Sequence, residues 1–122
     1  MLRFALTAGA LFLGAIDTSL AVRVLEDTEH SAELALSQID LPATATGILT
    51  FKACESCRVS AHRLTSMTAY VVNGRELPFA ELMRTVDEIA AVKNAAEQTL
   101  VGVFFDVQSG NVTRIALHTR AR

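Results

Sequence analysis

The chain has no tryptophan, one tyrosine, two prolines and two cysteines in 122 residues, and its formal net charge at neutral pH is only −2. Each scarcity excludes something. Eleven basic against thirteen acidic side chains leave no cationic excess of the kind that holds a phosphate backbone, so no nucleic-acid partner is expected. No glycine-rich phosphate loop occurs. Two cysteines supply at most half of a four-ligand zinc site, and they allow a single intrachain bridge. The one long apolar run, Phe4 to Ile16, is shorter than the roughly 20 residues that a membrane-crossing helix needs.

What is present begins with that run. Arg3 precedes it, and Ser19-Leu20-Ala21 follows with small residues at −3 and −1. This is the pattern of a secretory signal, so residues 1–21 are expected to be cleaved after Ala21, leaving an exported protein, periplasmic or secreted, with no membrane span. Residues 22–45 read as a polar lead segment, partly mobile, with room for a short helix in "EHSAELALSQID" that Pro42 would end. The lead is acidic (Glu26, Asp27, Glu29, Glu33, Asp40), whereas the end of the chain carries Arg114, His118, Arg120 and Arg122. Two solvated ends are the plain reading of that asymmetry; the alternative is an acidic arm folded onto a basic tail.

Residues 46–122 read as the folded domain. "TGILTFKA" alternates, with Leu49, Phe51 and Ala53 on one side; "RVSAHRLT" alternates too, and "TAYVVNG" is a third strand ending in a turn at Asn73-Gly74. Pro78 suits a helix start, and Phe79, Leu82, Met83, Val86, Ile89 and Ala90 recur at helical spacing with Glu81 in the first turn. Thr85 and Glu88 have the spacing of a cap for a second helix. "TLVGVFFD", a loop "VQSG" and "NVTRIALH" complete the chain as two strands. The expected class is mainly β with one helix (α+β), in the order β-β-β-α-β-β. That order resembles an OB-fold, a small five-stranded barrel.

Register sharpens the expectation. Pairing Ala53 with Cys57 sets Phe51 opposite Val59 and Leu49 opposite Ala61, an all-apolar face, and leaves Cys54-Glu55-Ser56 as a three-residue loop. In the last hairpin, Asp106 opposite Asn111 sets Phe104 against Thr113, Gly102 against Ile115 and Leu100 against Leu117. Val101, Val103 and Phe105 then need cover from the lead segment or from a second subunit joined along residues 99–106. Tyr70, Phe104 and Phe105 read as barrel core rather than a stacking platform.

The chemistry-bearing stretch is "CESCR". Outside the cytosol a Cys54–Cys57 disulfide that pins a turn is the default. Thiol–disulfide exchange needs a helix beginning at the second cysteine, and Val59, Ser60 and Thr65 favour a strand instead, although Lys52 and Arg58 would lower a thiol pKa. A metal site built on Cys54, Cys57 and His62, with His30 or His118, lacks a second paired cluster, so no metal and no cofactor are expected. By the OB resemblance, the loops at Cys54–Ser56 and Val107–Gly110 border a ligand face, which makes Glu55, Ser56, Arg58, His62, Gln108 and Ser109 the rim residues. The sequence thus points to an exported binding protein rather than an enzyme. Its partner is a protein, peptide or small molecule of the cell envelope, and the alternative is a periplasmic exchange protein using its CxxC pair.

Overall fold

The computed structural model describes residues 28–119; the expected signal segment and its cleavage site lie outside them, as do residues 120–122. In chain order the elements are β1 (Glu29–Ala35), a 3-10 turn (Leu36–Gln38), β2 (Ile39–Asp40), β3 (Ile48–Lys52), β4 (Val59–Arg63), β5 (Ala69–Val72), β6 (Arg75–Glu76), α1 (Phe79–Ala90), α2 (Ala95–Gln98), β7 (Leu100–Asp106) and β8 (Val112–His118). They form a five-stranded sheet ordered β1-β7-β8-β5-β6 and a three-stranded sheet ordered β2-β3-β4. The α+β class holds, but the strands do not close into one barrel.

The reason lies in the segment expected to be a polar lead. Ala32, Leu34 and Leu36 alternate, and the last two are buried, so residues 29–35 extend along β7 rather than coil into a helix. The chain then turns sharply at Leu36–Gln38, where the Gln38 side chain accepts from the Ala35 amide at 2.9 Å and the Leu36 amide donates to Thr99 O at 2.9 Å. It emerges as β2, with Ile39 opposite Phe51 in the other sheet. One segment therefore belongs to both sheets and joins them at a corner. The far edges, β4 and β6, pair with no further strand among the described residues.

The helical stripe is realised. Leu82 and Ile89 of α1 are buried, and Pro78 sits at the N-cap, one place before the first helical residue. The helix ends after Ala90 without a cap from Thr85 and Glu88; Asn94, at φ 66°, restarts the chain into α2. Thr85 instead turns its hydroxyl back to Glu81 O at 2.9 Å. Asn73 and Gly74, both with positive φ, make the expected tight turn, and that turn opens onto the unanticipated strand β6.

The last hairpin keeps its expected register only at the tip. The Asp106 amide bonds Asn111 O at 2.9 Å, but a bulge between Phe104 and Phe105 moves the rest by one residue, giving Phe104↔Arg114, Val103↔Ile115 and Val101↔Leu117. The extra residue, Thr113, lets both Val112 and Ile115 face the core although they are three apart. Val101, Val103, Ile115 and Leu117 are fully buried within the chain. Phe104, on the other face, is covered by the Arg114 guanidinium 4.0 Å above its ring. β1 takes the free edge of β7, and the Thr113 hydroxyl donates to the Glu29 carboxylate.

Tyr70 is core, packed at 5.5 Å against Phe79, and its buried hydroxyl has no hydrogen-bond partner among the described residues. Desolvation raises its pKa above the ordinary 10.0. An unfolded tyrosine ionises near pH 10 while the folded one stays protonated, so this contribution to stability is intact below about pH 10 and is lost as pH rises through the folded pKa. Tyr70→Phe is expected to be neutral or stabilising by up to about 1 kcal/mol at neutral pH, because it removes an unpaired polar group. It should also flatten the alkaline loss of stability, which urea melts at about pH 8 and about pH 11 will read.

Candidate functional site: the cysteine hairpin and its contact with the β7–β8 turn

β3 and β4 pair with Leu49 opposite His62, Thr50 opposite Ala61, Phe51 opposite Ser60 and Lys52 opposite Val59. This is one residue away from the all-apolar register expected from the sequence, and it reverses β4: Val59 is 62 % exposed and Ala61 is exposed, while Ser60 and His62 turn inward. The loop explains part of the shift. Cys54 and Cys57 face each other across a two-residue turn, Glu55-Ser56, in which the Cys57 amide bonds Cys54 O at 3.2 Å. Their α-carbons lie 5.0 Å apart and the disulfide is formed, as expected.

His62 explains the remainder. Its ring stacks at 4.0 Å on Phe105 of β7 and at 5.7 Å on Phe51 of β3. Nδ1 lies 2.8 Å from Gly110 O. A carbonyl only accepts, so Nδ1 carries the proton and donates. The inward imidazole thus behaves as an aromatic core residue with one satisfied polar atom, and it fastens the small sheet to the turn of the large one. His30 meets the same Phe105 edge-on at 6.1 Å, whereas His118 stands exposed at the end of β8.

The β7–β8 turn is itself braced. Asp106 accepts from the Gln108 amide at 3.2 Å and the Ser109 hydroxyl at 3.0 Å; Ser109 Oγ accepts from the Asn111 amide at 3.2 Å; and Gly110, at φ 77°, donates to Asp106 O at 2.8 Å. Of the expected rim residues, Glu55, Ser56, Arg58, Gln108 and Ser109 are all exposed. The two loops meet through His62; no hydrogen bond or ring contact joins the cysteine turn itself to residues 107–110 among the described residues. Cys54 Sγ lies 3.6 Å from Ser56 Oγ.

A groove of about 330 Å³ runs along the outer face of the small sheet beneath the cysteine turn, between Gln38 and Asp40 on one side and Lys52, Glu55 and Val59 on the other. A larger hollow, about 850 Å³, lies between α1 and the β5–β6 hairpin, floored by Val72, Leu77 and Ile89 and edged by Arg75 and Glu88. Of that lining, only the turn at Asn73 is legible in the sequence. The two sulfurs are bonded to each other, and no group of three or more His, Cys, Asp or Glu side chains is gathered as a metal cluster among the described residues.

The disulfide closes few residues, so its effect on the unfolded chain is small. Cys54→Ser with Cys57→Ser is expected to cost no more than about 2 kcal/mol, measured by thermal melts with and without reductant. Comparisons with protein-family models, with curated proteins and with solved structures find no match to this chain.

Proposed function

We propose that this is an exported binding protein that meets its partner through the rim formed by the cysteine hairpin and the β7–β8 turn, with the disulfide serving to hold that rim in shape. The observation that carries the reading is the double fastening of the hairpin. The disulfide fixes its tip, and His62 clamps its return strand to Gly110 and Phe105. Loops held this rigidly lose little entropy on binding, and their side chains Glu55, Ser56, Arg58, Gln108 and Ser109 are exposed to a partner. Export is supported by the N-terminal sequence pattern and by the bridged cysteines. The OB-like reading draws support from the parallel pairing of β5 with β8 on either side of α1 and β7, the connection such folds make between their third and fifth strands.

Thiol–disulfide exchange is the second reading. One observation favours it: Cys54 is exposed and has the Ser56 hydroxyl beside its sulfur, placed to donate to a thiolate. Against it, the residues after Cys57 enter a strand, not a helix whose N-terminus would stabilise that thiolate. An insulin-reduction assay with dithiothreitol separates the two. The binding reading expects insulin to precipitate at the uncatalysed rate; turnover that disappears in Cys54→Ser overturns it.

A further inference from the structure

The open edge of the small sheet has its own chemistry. The Leu64 amide bonds Gly47 O at 2.9 Å, which makes that pair, and alternate pairs after it, the hydrogen-bonded ones. Leu64, His62 and Ser60 therefore spend their main-chain groups on β3. Val59, Ala61 and Arg63 direct both N–H and C=O away from it, along an edge with no neighbouring strand among the described residues. All three residues are exposed. Three residues in register thus present an unfilled ladder at the margin of an otherwise well-fastened hairpin. That is the feature natural proteins conceal unless it is used.

The charged side chains that flank the ladder are mostly basic, although Asp40 and Glu55 line the same groove as Lys52 and Val59. Arg58 and Arg63 bracket the strand, Lys52 stands opposite Val59, and the segment "RVSAHR" contains no acid. Neither Lys52 nor Arg58 has a carboxylate partner among the described residues. Arg63 reaches only a main-chain oxygen, Thr46 O, at 3.3 Å. Between the cations lie exposed apolar surfaces, Val59 at 62 % and Ile48 at 47 %. Only an extended main chain fills the ladder, and only an acidic one answers the charge.

We infer that β4 is a docking edge for an extended acidic peptide segment, which joins the small sheet as a further strand and sets carboxylates among Arg58, Arg63 and Lys52. A second copy of the chain is the poorer occupant, because its own β4 would add two more arginines to the same surface. The inference rests on the binding reading and names the class of partner, a polypeptide strand, for the same hairpin.

The test is amide exchange on isotope-labelled protein, with an end-capped peptide of about eight residues alternating glutamate and valine, and with its lysine–valine counterpart. The glutamate peptide is expected to slow exchange at Val59, Ala61 and Arg63, and the lysine peptide to bind at least about tenfold more weakly. Ala61→Pro removes an outward N–H that the fold does not use, so it should keep the far-ultraviolet spectrum and lose the protection. Arg58→Glu combined with Arg63→Glu should reverse the preference between the two peptides, an arm that stands even if the proline variant is unstable. Unchanged exchange at the three amides with saturating peptide overturns the inference. So does protection of those amides that rises with protein concentration alone, which would give the edge to a second copy. Shifts confined to Glu55, Ser56, Gln108 and Ser109 would overturn the edge while sparing the binding reading. Insulin turnover dependent on Cys54 would overturn the reading itself.

Discussion

Replacing His62 with alanine is expected to destabilise the protein by about 2–4 kcal/mol, a large effect for a half-buried polar residue. Two ring contacts are lost, to Phe105 at 4.0 Å and Phe51 at 5.7 Å, each worth roughly 0.5–1.5 kcal/mol. The bond to Gly110 O at 2.8 Å contributes about 1 kcal/mol more, and its removal leaves a part-buried carbonyl unpaired. His62→Phe divides the terms: it keeps the stack and loses the bond, so it should recover more than half of the loss. The damage should also be local. The five-stranded sheet has its own buried set in Val101, Val103, Ile115 and Leu117, so exchange protection should fall first in β3, β4 and the turn at 107–110. Urea melts of the variants, with amide exchange, measure both. Equal stability of His62→Ala and the parent would mean that the rim is not fastened as described, and the preorganisation invoked for binding would go with it.

The second large effect belongs to the centre of the other sheet. Ile115 is fully buried on β8, antiparallel to Val103 and parallel to Tyr70. Strands hem it in on both sides, so the cavity left by alanine has little room to collapse. Ile115→Ala is expected to cost about 3–5 kcal/mol, near the top of the range for such truncations. For a domain of this size each kcal/mol moves the melting temperature by roughly 4–8 °C, so calorimetry should show a drop of about 12 °C or more. Val59→Ala is the control. It deletes as much aliphatic side chain as a core valine truncation, but from a residue 62 % exposed, and should change stability by less than about 0.5 kcal/mol.

The two variants also mark where the sequence was legible. Ile115 lies in a strand visible from alternation alone, although its partner is Val103 rather than the expected Gly102. In the expected register His62 falls on the polar side of β4, among the rim residues. The apolar side, Val59 and Ala61, was expected inside because burial of aliphatic carbon usually selects register. Here a two-residue turn between bridged cysteines and an imidazole sandwiched by two phenylalanines outweighed it. A histidine is amphipathic, and whether it counts as polar or aromatic depends on what faces it. Its partners Phe105 and Gly110 are more than forty residues further along the chain.

The start of β1 was missed for a related reason. The sequence around Leu34, Leu36 and Ile39 reads as a polar lead with room for a short helix. The period-two set Ala32, Leu34 and Leu36 was present, but a strand that fills another strand's edge needs only a few inward residues, and nothing local says which edge it fills.

By itself the sequence determined the local events: extended segments where β-branched residues alternate, the helix after Pro78, the turns at Asn73-Gly74 and Gly110, and a bridge between the only two cysteines, three apart. Each follows from short-range sterics or covalent reach. The tertiary structure decided the register of both hairpins, the bulge at Thr113, the corner that divides the strands into two sheets, and the inward turn of His62. Those depend on side chains brought together across the fold, whose contact energies exceed the small local preferences they override.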